Sequence, residues 1–250
     1  MRYLIKFSYD GSAYCGFQKQ KGKNTIEGQL EIALTKINNG KKTTICATGR
    51  TDKGVHALAQ YGHADIDVNI NEKKLKRALN SNLPDDIHVI KTMVVPDDFH
   101  TRYDVLEKIY LYKINLGEYN PIDRNYIYQY NYQLDVNKMK EAIKCFEGEQ
   151  DFRAFATDNK EKENCVRTIT NTNIELKDSI LYITFKGTGF LRYQVRNMVG
   201  ILIRIGEGKL SKESLIDIIN SKDRTKSGKT APAVGLYLQK VFFKSVKEEE

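Results

Sequence analysis

The chain has 250 residues, with 40 Lys or Arg against 32 Asp or Glu, which gives a formal net charge of +8 and a pI near 9.1. This length supports one large domain or two modest ones, and no stretch approaches the roughly 20 apolar residues that span a bilayer. The N-terminus lacks a signal-peptide pattern, so we expect a soluble cytoplasmic protein. The basic excess suits a polyanionic partner, although many housekeeping proteins are equally basic.

The cysteines indicate neither a disulfide framework nor a metal site. They lie far apart, without CxxC or Cys/His ligand spacing, and are Cys15, Cys46, Cys145 and Cys165. A chain of this size does not need covalent staples to fold. We therefore expect reduced thiols.

The first hundred residues alternate between strand-like and helical patterns. Asn24 with Glu27, and Asn69 with Glu72, form capping-box patterns ahead of two predicted helices. In chain order, apolar periodicity predicts a strand over 3–7, a helix after Asn24, strands over 43–48 and 55–68, a helix through about residue 80 and a strand over 87–95. The order β, α, β, β, α, β is that of the split βαβ arrangement.

The second half predicts a similar mixture. Its elements are a strand over 107–116, a helix over 136–146, paired strands over 168–176 and 180–186, helices over 191–205 and 212–219, and a strand over 235–243. We therefore predict an α+β protein with two split-βαβ (ferredoxin/RRM-like) domains, whose mostly antiparallel sheets flank a central active-site cleft. The expected domains are 1–103 and 104–250, and the terminal KEEE is expected to be a solvated tail.

The densest group of unusual residues is the loop from Thr48 to His56, which reads TGRTDKGVH. Its glycines permit a turn and a close ligand approach, and Arg50 is placed on the same side of an extended segment as Asp52. An ionised, partly desolvated aspartate can act as a nucleophile or a base. Spacing alone favours a plainer interpretation, an Asp that hydrogen-bonds its own turn beside a surface ion pair.

Two further patterns place basic and aromatic side chains together. Lys108, Tyr110 and Tyr112 alternate onto one face of a predicted strand, so an aromatic and basic surface could meet a base. Arg192 and Arg196 lie four residues apart on a predicted helix and could face a cleft or a phosphate. An ordinary amphipathic strand and solvated arginines would give the same patterns.

Motifs along nearly the whole chain resemble those of the tRNA pseudouridine synthase A (TruA) family. The loop GRTDKGVHA closely resembles the family signature GRTDxGVHA. The other segments that resemble family motifs, in family order, are YDGSAYCGFQKQ, FHTRYD, KIYLY, DFRAFA, FLRYQVRNMVG and APAVGLYL. Lys53 stands where the family often has a small residue, and Phe17 where it usually has Trp; neither change removes a group that the chemistry needs.

The resemblance implies a role for four residues. Asp52 would be the catalytic aspartate, Arg50 its partner in the loop, Tyr110 the aromatic residue against the target uracil, and Arg196 a basic residue facing the active site. The implied reaction isomerises uridine to pseudouridine at positions 38–40 in the anticodon stem-loop of tRNA. It needs no cofactor and no metal, and the implied assembly is a homodimer.

Several alternatives stay open at this stage. Asp52 could add to uracil C6, attack C1′ or abstract the 2′ proton. The chain could be a paralogue that acts on ribosomal RNA, or a non-catalytic RNA-binding module built on the same sheets. The four histidines are interpreted as structural, without zinc or triad pairing, and are His56, His63, His88 and His100.

Overall fold

The computed structural model describes residues 1–157 and 164–245, so the predicted tail at 247–250 lies outside the described residues. The strands in chain order are β1 (Arg2–Tyr9), β2 (Cys46–Ala47), β3 (His56–Asp65), β4 (Ile87–Val95), β5 (Val105–Asn115), β6 (Tyr128–Gln129), β7 (Gly148–Asp151), β8 (Val166–Lys177), β9 (Ile180–Gly187) and β10 (Leu236–Phe243). The α-helices are α1 (Ile26–Ile37), α2 (Glu72–Asn80), α3 (Val136–Ile143), α4 (Gln194–Gly206) and α5 (Lys212–Ser221). Within the described ranges, no helix is long and apolar enough to cross a membrane.

The chain divides into two compact units. Unit 1 comprises Met1–Leu106 with Tyr237–Glu250, and unit 2 comprises Glu107–Leu236. The expected division was 1–103 and 104–250, so the units differ from it chiefly in where the last strand belongs. Strand β10 runs parallel to the start of β3, with Tyr237 opposite His56, and is therefore counted with unit 1.

Unit 1 is built on an antiparallel core of strands. β1 pairs with β3 on one side and with β4 on the other, and the short β2 also pairs with β3. Helix α1 follows β1 and buries a stripe at helical spacing that consists of Ile26, Leu30, Ala33 and Leu34. The element order β1, α1, β2, β3, α2, β4 is the one that the periodicity predicted.

In unit 2 the strands pair antiparallel in the order β5, β9, β8, β7, with β6 added in parallel at the end of β5. An aromatic cluster forms part of its core, in which Phe146 packs edge-to-face against Phe155 and Phe185. The mostly antiparallel α+β fold class predicted from the sequence is confirmed.

Both predicted helix caps are wrong in detail. The side chain of Thr25, not Asn24, accepts the Gly28 N–H at the start of α1, because the Asn24 side-chain oxygen accepts from the Gln29 amide at 2.9 Å instead. At α2 the cap is Asn71, which accepts the Lys74 N–H at 2.9 Å.

Other predicted boundaries also shift. The strand expected over 43–48 is reduced to Cys46–Ala47, and the helix expected from residue 191 begins at Gln194. Tyr193 adopts a left-handed conformation with φ 63°, while the Gln194 side chain accepts the Leu191 N–H at 2.8 Å. These three residues form a turn that delays the helix.

Candidate active site

The Asp52 loop is held at its first residues by a buried glutamine. Gln60 on β3 is fully buried; its amide nitrogen donates to the Gly49 carbonyl at 2.9 Å, and its amide oxygen accepts from the Thr48 hydroxyl. The Thr48 N–H donates to the Tyr61 carbonyl at 2.9 Å. The loop therefore leaves the sheet in a fixed direction, because a buried amide without these partners would be costly.

The N-terminal loop after β1 supports the same segment through two glycines. A Cβ on Gly11 would lie 2.0 Å from the Val55 carbonyl oxygen, so only glycine allows this approach. Gly16 has φ +96°, and a Cβ there would lie 3.1 Å from the Thr51 carbonyl oxygen. The Phe17 N–H donates to that same oxygen at 3.1 Å. The resemblance identified YDGSAYCGFQKQ as a motif, and the structure gives these glycines a physical role.

Tyr9 fixes the residue immediately before the aspartate. Its hydroxyl is 2.8 Å from the Thr51 hydroxyl in a buried hydrogen bond. Burial raises the pKa of Tyr9 well above its usual value of 10, so the phenol stays protonated and neutral. Thr51 is thereby held inward, and the residues on both sides of it are more exposed.

Asp52 is half-buried at the turn, and its carbonyl oxygen accepts the Val55 N–H at 3.2 Å. Arg50 is exposed and, among the described residues, makes no hydrogen bond or ion pair. The ion pair with Asp52 suggested by their spacing is therefore not formed. Ordering a long exposed side chain for a weak surface interaction brings little stabilisation.

His56 closes the loop and has a structural setting, as the sequence suggested. It is 2% exposed, and its Nδ1 is 3.1 Å from an Asp10 carboxylate oxygen and 3.2 Å from the Gly11 amide nitrogen. The Tyr237 ring stacks on the imidazole with a centroid distance of 4.8 Å. The imidazole thus links the N-terminal loop to strands β3 and β10.

In unit 2, Tyr110 lies on β5 opposite Phe185 of β9 and is 9% exposed. Phe190 packs edge-to-face against it, with ring centroids 5.0 Å apart. The ring is therefore supported by neighbouring aromatic side chains of its own unit.

The sequence predicted that Lys108, Tyr110 and Tyr112 form one basic and aromatic surface of β5, and this prediction is wrong at Tyr112. Tyr112 is fully buried, and its hydroxyl donates to the Pro232 carbonyl at 2.7 Å. A Cβ on Gly235 would lie 2.8 Å from the Tyr112 ring, so the segment after Pro232 packs directly on this side chain. Burial raises the pKa of Tyr112, which remains a neutral core residue.

Arg196 lies in the first turn of α4 and is anchored to its own unit. Its Nε donates to the Ala231 carbonyl at 2.8 Å, and the Ala231 N–H donates back to the Arg196 carbonyl at 3.1 Å. The guanidinium carbons of Arg196 and Arg192 each lie 5.0 Å from the centroid of the Tyr193 ring. Arg192 and Arg196 were predicted to lie on one face of a helix. Arg192 precedes α4, so the two arginines are brought together by their contacts with the Tyr193 ring instead.

A buried polar network that the sequence reasoning missed secures α4. The Asn197 amide donates to the Phe155 carbonyl at 2.6 Å and accepts from Arg224 at 2.9 Å and from the Thr230 hydroxyl at 2.6 Å. A Cβ on Gly200 would lie 2.1 Å from the Lys229 carbonyl oxygen. The motifs DFRAFA and FLRYQVRNMVG thus meet the segment 224–230, which directly precedes APAVGLYL, a result that no local sequence pattern reveals.

The sequence model described as tRNA pseudouridine synthase matches residues 5–104 and 142–244, which include the Asp52 loop, the first turn of α4 and the segment at Ala231. The chain belongs to the tRNA pseudouridine synthase family. The four residues predicted for the site are divided between the units, with Arg50 and Asp52 in unit 1 and Tyr110 and Arg196 in unit 2.

Similar proteins cover nearly the whole chain. It is 45% identical over 244 residues to the tRNA pseudouridine synthase A of Pseudothermotoga lettingae, covering 97% of this chain and 99% of that protein. It is 42% identical over 243 residues to the corresponding protein of Streptococcus pneumoniae strain P1031, covering 96% and 98%. A crystal structure of a Cbf5-Nop10-Gar1 complex aligns with a TM-score of 0.33 and 12% identity over 80% of this chain and 54% of that one, which is too little shared geometry to bear on function.

Unit 1 also contains a group of three side chains that could hold a metal ion, which the sequence did not predict. Cys46, His63 and His100 come together although they are separated by 17 and 37 positions in the sequence. Pairing of β2 with β3 and the return of the chain after β4 produce this cluster, so no short motif indicates it.

Proposed function

We propose that this chain isomerises uridine to pseudouridine in tRNA, with Asp52 as the catalytic carboxylate. The observation that carries the proposal is the setting of Asp52 in a chain of the tRNA pseudouridine synthase family. The aspartate lies at a half-exposed turn whose backbone is held by Gly11, Gly16 and Gln60. A rigid turn that exposes one carboxylate provides the orientation that catalysis requires.

The reaction breaks the N1–C1′ glycosidic bond, turns the uracil and joins C5 to C1′. The C5 hydrogen leaves as a proton and N1 gains one, so there is no net redox change and no donated group. This chemistry requires no external cofactor. An Asp52 carboxylate can add to uracil C6, attack C1′ or abstract the 2′ proton, and each route requires the ionised form beside the nucleotide.

A uridine stacked in RNA must leave the stack before a side chain can reach it. We assign Tyr110 to contact with the extruded uracil, supported from behind by Phe190. Arg50, exposed and without an ion pair among the described residues, is assigned to hold the flipped nucleotide. Arg196 is assigned to the substrate as a cation whose direction is set by its hydrogen bond to Ala231.

The proposed target is uridine 38–40 of the anticodon stem-loop, and the proposed assembly is a cytoplasmic homodimer. Structured RNA is recognised mainly through its shape and backbone, which a chain of net charge +8 suits. Lysine-rich stretches at 19–23, 73–77 and 222–229 are the candidates for phosphate contacts.

The test compares the native chain with Asp52→Asn, which removes the charge and keeps the shape of the side chain. Asp85→Asn, at an exposed position of the same unit, is the matched control. Each protein is incubated without cofactor with an unmodified tRNA that carries uridine at 38–40, and with the same tRNA carrying cytidine there. Pseudouridine is then mapped by position.

We expect the native chain and Asp85→Asn to modify only the uridine substrate, and Asp52→Asn to form no product. Equal product from Asp52→Asn would remove this residue from the chemistry. No product from the native chain would favour a ribosomal RNA substrate or a non-catalytic RNA-binding role, and product elsewhere in the tRNA would refute the proposed positions.

A further inference from the structure

The strongest feature outside the proposed active site is the group of Cys46, His63 and His100, which we call the Cys-His cluster. Cys46 on β2 is the direct cross-strand partner of His63 on β3, and His100 comes from the segment between β4 and β5. The Cys46 Sγ lies 3.8 Å from the His100 Nε2, and one ligand atom from each of the three lies within 4.8 Å of the others. Ligands of a tetrahedral zinc ion are about 3.5 Å apart, so a contraction of roughly 1 Å would close the site.

The hydrogen bonds of His63 all reach its Nδ1. The Thr101 hydroxyl lies 2.9 Å from Nδ1 and donates to the Cys46 carbonyl at 2.5 Å, and the Thr101 N–H donates to Nδ1 at 3.3 Å. No described residue hydrogen-bonds to Nε2, which is therefore the ring nitrogen open to a ligand. Binding through Nε2 requires the ring proton on Nδ1, where the Thr101 hydroxyl oxygen accepts it and the contact from the Thr101 N–H is given up. A ring N–H donated to an oxygen is the usual support of a metal-ligating histidine.

A cavity of about 250 Å³ beside the cluster provides an entry path. Cys46 and His63 both line it, together with two lysines and two aspartates, Lys41, Lys42, Asp65 and Asp67, so its formal charges cancel. The Arg2 guanidinium donates one hydrogen bond to each carboxylate oxygen of Asp65, both at 2.8 Å, so Asp65 is engaged in an ion pair. The cavity thus has room for water as a fourth ligand, but no obvious fourth protein ligand.

We propose that the Cys-His cluster binds a zinc ion through the Cys46 thiolate and the Nε2 atoms of His63 and His100, with water as the fourth ligand. One thiolate and two imidazoles form a borderline-soft set that suits Zn²⁺ better than Mg²⁺ or Ca²⁺. On binding, the Cys46 thiol releases its proton to solvent. The ring proton of His100 moves to Nδ1, and the 3.2 Å contact from the exposed Arg102 N–H gives way to water.

The ion would fasten the segment after β4 to strands β2 and β3. The cluster joins positions 46, 63 and 100, so coordination would close long chain loops within unit 1. Metal binding to a site that exists only in the folded state stabilises that state. The proposal concerns stability and metal content, and is independent of the assignment of Asp52.

The test uses the full chain, freed of metal with a chelator and titrated with Co²⁺, whose bond to a thiolate gives a near-ultraviolet absorption band, and then with Zn²⁺ as a competitor. We expect one equivalent of Co²⁺ per chain, displaced by Zn²⁺. Cys46→Ser should abolish the band, whereas Cys145→Ser, a control at another half-buried cysteine, should keep it. His100→Gln should lose tight binding while His88→Gln, at an exposed histidine, retains it.

Thr101→Val tests the hydrogen bond between Thr101 and His63 without changing any of the three proposed metal ligands. It removes the hydroxyl beside His63 and should weaken Zn²⁺ binding about 10- to 100-fold while the thiolate band persists at saturation. Circular dichroism establishes that each variant is folded.

A second measurement requires only the native protein. Zn²⁺ should slow the alkylation of Cys46 by iodoacetamide, mapped by mass spectrometry, and leave that of Cys145 unchanged. A native chain that gains no thiolate band with Co²⁺, or whose Cys46 is alkylated equally fast with and without Zn²⁺, would overturn the proposal.

Discussion

Gly11→Ala tests whether the N-terminal loop sets the position of the catalytic turn. The new Cβ would lie 2.0 Å from the Val55 carbonyl oxygen, where an ordinary contact begins at 3.4 Å, so about 1.4 Å of displacement is required. Val55 donates its N–H to the Asp52 carbonyl, so the displacement reaches the turn itself. The same displacement would also strain the neighbouring hydrogen bond from the Gly11 N–H to the His56 Nδ1.

We expect Gly11→Ala to lower both the free energy of unfolding and the rate of turnover. Overpacking a buried position destabilises a protein by about 1–3 kcal/mol, which leaves a stable chain folded. A misplacement of roughly 1 Å at a reacting group can slow turnover about 100-fold. We therefore expect a folded Gly11→Ala protein that binds tRNA with nearly native affinity and forms pseudouridine about 100 times more slowly.

The assay is single-turnover pseudouridine formation, combined with a tRNA-binding isotherm and urea unfolding. Gly208→Ala is the control, because its φ of +72° strains an alanine backbone while no atom lies within 4 Å of the added Cβ. It should lose stability without a large loss of turnover. Native turnover in Gly11→Ala, or equal slowing in Gly208→Ala, would refute the positioning role of Gly11.

Three further outcomes are expected. Tyr110→Phe should keep tRNA affinity and lose whatever the hydroxyl contributes to turnover, and an unchanged rate would restrict Tyr110 to ring contact. Lys21→Ala and Lys23→Ala should each lower the slope of log affinity against log salt by about 0.9 if the side chain neutralises a phosphate, and an unchanged slope excludes that contact. The Tyr130 hydroxyl donates to Glu207 and lowers the pKa of that carboxylate in the folded chain. The hydrogen bond therefore stabilises the folded state above the pKa of Glu207 in the unfolded chain, near 4.5. This stabilisation is lost as the pH falls through the lower pKa of the folded chain. Tyr130→Phe should therefore lose less stability than the native chain on acidification below pH 4.5 in urea unfolding; an unaltered pH dependence would contradict that role.

The sequence predicted the features that depend on local periodicity and on motifs. The α/β order of unit 1 and the antiparallel fold class are confirmed, because apolar spacing reports which face of each element is buried. Family membership is confirmed as well, from motifs spread across the chain. The roles of Asp52, Arg50, Tyr110 and Arg196 stay predictions.

The predictions that are wrong or missing concern features that depend on contacts with other segments of the chain. Tyr112 obeys the alternation of a half-exposed strand, but the later segment around Pro232 covers it. Thr25 replaces Asn24 as the cap of α1 because the Asn24 side chain contacts the Gln29 amide and the Ala13 carbonyl instead. The Cys-His cluster is likewise assembled by strand pairing, so its spacing along the chain carries no signal.

The most direct test of the central claim follows the hydrogen at C5 of the target uridine, which is displaced when C5 joins C1′. Native chain in excess is mixed with tRNA labelled with tritium at uridine C5, and tritium released to water is measured in a single turnover beside tRNA binding. We expect one tritium released per pseudouridine formed by the native chain, and none by Asp52→Asn with tRNA bound at similar affinity. Release by Asp52→Asn at the native rate would contradict the assignment of Asp52 as the catalytic carboxylate.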